Sequence, residues 1–460
     1  MDLETFVEVL GVFLSLAGLM YFAYRGINVL VLAPIMALFA ALWQGESPML
    51  ATYTQVFMPA LGNYLLQYFP LFMLGAIFGK LMSVSGAASS IGKIIASIVG
   101  QERAITAVVL ACALLTYGGV SLFVVAFCMS PIAKNLFNQA NIPERLIPGS
   151  IALGSFTFTM TALPGTPAIQ NAIPMPFFGT TAFAAPGLGT IGAVIMLTLG
   201  LLWLNKRAKA AGQEGQKSQE PEQQNNLPSY WVGLIPLLIV VIGNYLMSAQ
   251  ILPRMDLAFL GMEKWGSVSS SKVIGLWSLI TSLTVAIIAL LVLARNHLSS
   301  PVKSLNQGTM DSLLPIFNTA SEVGYGACIA SFASFSVIKE SVLGIAPDMP
   351  LISEAVAINA LAGITGSASG GLSIALQSLA DIYLQMAEKT GLDPELLHRV
   401  ASMSCGGFDT LPHNGAVITL LGICGMTHKK SYKDIFMVAV AFPFLATTVV
   451  VILGTLFGSF

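Results

Sequence analysis

Two short motifs each occur twice in this chain. Tyr117-Gly118-Gly119-Val120-Ser121 and Ser369-Gly370-Gly371-Leu372-Ser373 share GG-(V/L)-S. Leu163-Pro164-Gly165-Thr166-Pro167-Ala168-Ile169 and Leu411-Pro412-His413-Asn414-Gly415-Ala416-Val417 share LP-x-x-(P/G)-A-(I/V). They come in the same order at similar separation, which marks an internal duplication. Glycine permits a turn at φ > 0, and proline ends a helix by removing a donor. Each motif therefore predicts a helix interrupted inside an apolar run. An interruption frees backbone N–H and C=O groups, which are tolerated there only where protein or a water-filled cavity satisfies them. Freed N–H groups at a half-helix N-terminus suit anions, and freed carbonyls suit cations. Four such breaks, two per half, would build a midplane site for a small anion. The candidate binding residues are Gly118, Gly119, Ser121, Thr166 and Asn171 in the first half. In the second half they are Ser367, Ser369, Gly370, Gly371, Thr410, His413 and Asn414, with Thr116, Thr161 and Ser373 nearby. A plainer reading makes the same residues a small-residue packing seam with Ser and Thr bonding between helices. The repeated pairing of the two motifs favours a site.

Ionisable groups inside apolar runs are rare and mark pathways or relays. The segment from Cys405 to Gly415 is the densest polar cluster in an otherwise apolar span. Imidazole titrates near neutrality, which makes His413 the candidate for a proton-linked switch; it can also donate to a carboxylate or hold broken backbone. Asp409 is the second proton candidate, unless it caps the half-helix that follows Pro412. Glu322 and Asp381 fall within runs. Asp311 is expected at a helix start and Glu354 at a hairpin mouth, both interfacial. No cofactor or metal is called for. The five cysteines are scattered without CxxC spacing, and no HExxH or GxSxG occurs among four histidines. An intramembrane enzyme would need such a constellation.

These residues must be carried by elements that sit in a membrane. Apolar residues make up 55% of 460 positions, charged residues 9%, and mean hydropathy is +0.79. A soluble chain carries roughly 25% charge, so this one cannot dress a water-facing surface. A net charge of −1 offers no basic surface for nucleic acid. The opening Met1-Asp2-Leu3-Glu4 is acidic where a signal peptide needs positive charge. Runs of ~20 residues span the hydrocarbon layer; they are expected near 5–24, 27–44, 58–82, 146–175, 186–204, 229–248, 273–294, 310–338, 396–426 and 434–458. The runs 104–133 and 351–387, with glycine-rich middles, are expected to be re-entrant hairpins, and 91–99 an amphipathic segment at the interface.

Asn205 to Pro228 is polar and reads as a linker that divides the chain into similar halves. With this linker on the cytoplasmic side and both hairpins re-entrant, fifteen of the 21 Lys and Arg fall inside. Six fall outside, among them Lys339 and Arg399. Five full spans per half, an odd number, would make the halves inverted copies, a signature of secondary transporters. The expected fold class is thus an all-α polytopic membrane protein of two inverted repeats, each of about five spans plus one hairpin, with broken helices at the midplane.

The segment from Cys405 to Leu420, followed by Thr427-His428-Lys429-Lys430-Ser431-Tyr432-Lys433-Asp434, resembles the GntP family of gluconate/proton symporters. Gly366-Ser367-Ala368-Ser369-Gly370-Gly371 looks like the branch of D-β-hydroxybutyrate permeases, a departure that puts gluconate itself in doubt. The resemblance covers nearly the whole chain. It implies a homodimeric elevator in the bacterial inner membrane. Scaffold would be formed by 1–102 and 229–349, transport domain by 103–204 and 350–460, and cytoplasmic linker by 205–228. The implied function is proton symport of a small organic monocarboxylate, with His413 and Asp409 as proton-coupling residues. The partners are the acid anion, protons and membrane lipid. Sodium coupling through break carbonyls and Ser, Thr and Asn oxygens is the alternative. An anion channel is the other class, against which discontinuous helices in duplicated halves argue.

Overall fold

The computed structural model describes residues 3–25, 27–45, 47–100, 103–120, 122–210, 227–344, 346, 349–365, 367–412 and 414–460. Every regular element among them is helical. The first half runs α1 (Leu3–Tyr24), α2 (Val29–Ala41), α3 (Met58–Val84), α4 (Ala87–Val99), α5 (Ala104–Tyr117), α6 (Leu122–Gln139), α7 (Ile147–Ser155), α8 (Ile169–Ala172) and α9 (Pro186–Ala210). The second half runs α10 (Trp231–Tyr245), α11 (Ser270–Leu293), α12 (Pro301–Ser331), α13 (Phe335–Gly344), α14 (Pro350–Thr365), α15 (Ala368–Thr390), α16 (Pro394–Ser404), α17 (Gly415–Cys424) and α18 (Phe442–Phe457). Among the described residues, five stretches are long and apolar enough to cross a bilayer: Met49–Val84, Pro186–Ala210, Trp231–Arg254, Ser270–Leu293 and His428–Phe457. Several shorter apolar helices accompany them.

The element order of one half repeats in the other, and so do the contacts. The long helices α3 and α12 lie along each other. α2 packs on α12, as α11 packs on α3; α1 reaches α13 and α14, as α10 reaches α4 and α5. α5 pairs with α6 and α7, as α14 pairs with α15 and α16; α8 meets α15, as α17 meets α6. Large apolar side chains such as Phe6, Leu66, Ile98, Val292 and Leu456 face outward. That pattern is expected where the surroundings are lipid rather than water.

Both glycine-rich runs do turn back on themselves, but not at equivalent places. In the first, Gly118-Gly119 is the turn itself, and Gly119 takes φ +93°. In the second, α15 begins at Ala368 with Ser367 as its N-cap, so Gly370 and Gly371 lie in its first helical turn. There Gly371 packs on the backbone of Ala362, where a Cβ would collide. The polar linker is also shorter than expected. α9 continues helically to Ala210, and 211–226 lies outside the described residues. α4 carries a buried face of Ala87, Ala88, Ile91 and Gly92 with Lys93 exposed, as an amphipathic segment requires.

Candidate functional site

The first break, between Thr161 and Ile169, exposes carbonyls, and side chains from both halves take them up. Tyr117 at the first hairpin tip donates to Pro164 O at 2.7 Å. Asn244 of α10 donates to Gly165 O at 3.2 Å, and Tyr68 of α3 to Ile173 O at 3.1 Å. Asn171 Nδ2 donates to Thr166 O at 3.0 Å and Ala182 O at 2.9 Å. The largest contribution comes from Arg399 of α16, a fully buried guanidinium. Its Nε and Nη2 donate to Ala184 O at 3.0 and 2.7 Å, and its Nη1 to Thr161 O and Asn171 Oδ1, each at 3.2 Å. Ser402 adds a bond to Thr161 O at 2.8 Å, and His398 meets Thr180 and Asn171. Arg399 was expected in an outer loop. It is instead the centre of a polar knot that ties α16 to the first break, so the outer set of basic residues loses a member.

The second break is closed in a similar way. Asn414 caps α17, its Oδ1 accepting from Ala416 N at 2.6 Å and Val417 N at 3.2 Å. Asn414 thus occupies the cap for which Asp409 was the alternative; Asp409 is buried, and its Oδ1 has no partner among the described residues. Thr410 Oγ1 lies 2.8 Å from Ala439 O, and Tyr432 donates to Thr410 O at 3.2 Å. His428 Nε2 donates to Pro412 O at 2.9 Å. His413 and Ser121 lie outside the described residues.

Between the halves lies a cavity of about 540 Å³. Its walls are the first hairpin tip (Thr116, Gly119, Val120), the first break (Pro167, Ala168, Gln170), α3 and α12. Lys80 and Asp311 stand at its edge, paired at 3.4 Å, with side chains 29% and 59% exposed. The lining is mostly apolar, with a few polar groups: Thr116, Ser83, Ser155, Gln170 and Lys80. Thr116 Oγ1 has no partner among the described residues. A mostly apolar chamber with a few placed polar groups is the usual form of a small-molecule site.

The sequence-predicted residues therefore divide. Gly119 lines the cavity, and Gly118 packs on Leu237 behind it. Thr166 and Asn171 are fully buried, and the Asn171 amide is spent on the knot. Ser367, Ser369, Gly370 and Gly371 gather at the second hairpin against α12, where Ser369 Oγ lies 3.4 Å from Thr319 Oγ1. Thr410 and Asn414 hold the second break. Glu354 lies near the start of α14, at the hairpin mouth as expected, but it is 0% exposed, and neither carboxyl oxygen has a partner among the described residues. Asp381 is exposed, as is Asp311. Sequence reasoning missed Arg399, Gln170 and the Lys80–Asp311 pair. The signal for Arg399 was its position inside the apolar run 396–426. Among the described residues no cluster of metal-ligating side chains occurs.

The family model described as GntP family permease matches residues 7–453. The uncharacterized transporter YxjC of Bacillus subtilis (strain 168) is 44% identical over 453 residues, spanning 94% of this chain and 96% of its own. The crystal structure of the Alcanivorax borkumensis YdaH transporter, reported to have an unusual topology, superposes with TM-score 0.61 at 13% identity. That superposition covers 95% of this chain and 98% of that one. At such identity the likeness is one of fold.

Proposed function

The chain belongs to the GntP permease family, a transporter by that membership, and from this premise we propose that it imports a small organic monocarboxylate by proton symport. 3-Hydroxybutyrate is the first candidate, with lactate and gluconate-like sugar acids next. The observation that carries this reading is the cavity where the first hairpin tip and the first break face α3 and α12, with Lys80 at its edge. The lysine draws a carboxylate in, Thr116 and Gln170 offer hydrogen bonds, and the apolar wall suits a short carbon chain. The sequence places the Lys80 end at the cytoplasm, so this cavity corresponds to an inward-open state.

Elevator motion fits the division of contacts. Hairpins and breaks from both halves are knotted through Arg399 and through α9 against α18, while α1–α3 and α10–α12 form a second group. Few polar contacts join the two groups, among them Tyr68 to Ile173 O, Asn244 to Gly165 O, Cys128 to Ser83, Thr319 to Ser369 and Ser367 to the Glu322 carboxyl. The repeated order and reciprocal contacts support inverted halves. The homodimer comes with the resemblance, and the inner membrane is the location expected of an α-helical polytopic chain. For the proton, the sequence offers His413 and Asp409. Sodium is the weaker alternative, because the first break's carbonyls are already engaged by side-chain donors.

The test is uptake of labelled 3-hydroxybutyrate into proteoliposomes. Accumulation driven by an inward proton gradient is expected, with none from a sodium gradient at fixed pH. Accumulation under sodium alone would replace the coupling ion, and none under either would reject this substrate. In the same assay, Lys80→Gln is expected to raise KM several-fold. Its folded yield should not change, because an exposed ion pair is worth about 0–1 kcal/mol.

A further inference from the structure

α12 continues past the cavity. Asp311 and Pro315 line it, and Asn318 and Glu322 follow on the same helix face by their spacing. Glu322 lies about 10 Å beyond Pro315 along the axis at 1.5 Å per residue. Its side chain is buried, 5% exposed, and Oε2 has no hydrogen-bond partner among the described residues. That oxygen points at Gly370, where even a Cβ would overlap it. Gly370 lies in the first turn of α15. The N-cap of that helix is Ser367, whose Oγ accepts from Gly370 N at 3.1 Å and whose hydroxyl also bonds to the Glu322 carboxyl. A buried, half-partnered carboxyl is thus aimed at the N-terminus of a helix that belongs to the other group of elements.

The other buried carboxyls are placed differently. Asp409 sits in the second break, against α14. Glu354 is on α14 beside Tyr383 of the same hairpin. A slide of the hairpin-and-break group past α12 carries both along with their nearest surroundings. It strips Glu322 of Ser367 and of the α15 terminus. Partial positive charge at a helix N-terminus stabilises an anion within the first turn only, and an ionised carboxyl left in an apolar layer without it is costly.

The titratable neighbours of Glu322 are few. α3 presents Tyr64, and the turn at Thr52–Phe57 that packs on α12 has Tyr53. α2 has no titratable residue, and α15 has none before Asp381. α13, which meets the far end of α12, carries Lys339 and Glu340. The Asn318 Oδ1 atom, without a partner, lies one turn toward the cavity.

We propose that Glu322 is the proton-coupling carboxyl of this transporter: it is an anion while the second hairpin tip is docked on α12, and binds a proton when the tip leaves. The proton is bound from the outward-facing side when the tip leaves and is released past Asn318 into the cavity on the cytoplasmic side when the tip docks again, with no other bond made or broken. This rests on the reading of the chain as a proton symporter.

The test uses the full-length protein in liposomes loaded with a pH-sensitive dye and supplied with 3-hydroxybutyrate. Wild type is expected to acidify the lumen as it accumulates the acid. Glu322→Gln is expected to abolish acidification and lower gradient-driven accumulation at least tenfold. It should retain exchange of external labelled for internal unlabelled acid, because exchange needs no net proton movement. Glu322→Asp should keep acidification, with the pH for half-maximal accumulation displaced from wild type. Acidification at the wild-type rate in Glu322→Gln would overturn the assignment. So would loss of exchange together with acidification in Glu322→Gln and an unmoved pH profile in Glu322→Asp, which would make the residue a packing element. A wild type that accumulates the acid without acidification would reject proton symport itself, and the assignment with it.

Discussion

Arg399→Ala is expected to remove most of the folded protein from the detergent-soluble membrane fraction, a larger loss than any substitution at the cavity edge. The reason is specific to the knot. Thr161 O keeps its bond from Ser402, and Ala182 O keeps those from Asn171 and Gly165 N. Ala184 O loses both of its side-chain donors. An unpaired buried acceptor costs about 1–3 kcal/mol. A void the size of an arginine side chain is added, and Glu395, which accepts from Ala185 N at 3.0 Å, loses the nearby cation. Arg399→Lys should restore little, because an ammonium cannot span Thr161 and Ala184 as the planar fork does. Yield of monodisperse protein and its Tm are the measurements. Near-wild-type values for Arg399→Ala would mean that the knot is not what holds α16 to the first break.

The same residue shows what the sequence could and could not reveal. Long apolar helices and broken runs were legible, because lipid forces every backbone group to find a partner inside its own segment or a neighbour. Composition and glycine–proline punctuation record that demand directly. Arg399 satisfies it from a distance, with carbonyls more than two hundred residues away. A lone arginine near the start of a span looks the same in sequence whether it faces water or a broken helix. The burial of Glu354 was hidden for the same reason. The duplicated GG motif was read correctly as a pattern but too uniformly as a structure. In one half the glycines make the turn; in the other they let one helix approach its neighbour. Only the backbone of Ala362 distinguishes the two uses. Of the candidate elements, the first hairpin and break face a cavity, whereas Thr410 and Asn414 serve the backbone of the second break.

Gly371→Val is expected to bring exchange of 3-hydroxybutyrate to background while the protein still reaches the membrane, and Gly371→Ala to lower it roughly tenfold. A Cβ at Gly371 meets the backbone N and Cα of Ala362 rather than the tip of a side chain. Backbone cannot rotate away, so α14 and α15 must part. Inserting carbon into a tightly packed contact costs about 1–3 kcal/mol, and 1.4 kcal/mol is a factor of ten in a rate. The strain falls in the first turn of α15, beside Gly370 and the Ser367 cap. Parting the arms therefore moves the helix terminus that faces Glu322 and the Ser369–Thr319 contact on α12. Both kinds of failure, static and dynamic, are felt at the boundary the hairpin must cross in an elevator cycle. Gly422→Ala is the matched control: Gly422 also lies inside a helix, but nothing approaches its Cβ position within 4 Å. It should transport within twofold of wild type. If Gly371→Val exchanged as fast as that control, the close approach of the two arms would not be needed at any stage of the cycle. The second hairpin would then have to work as two independent helices rather than as one rigid tip.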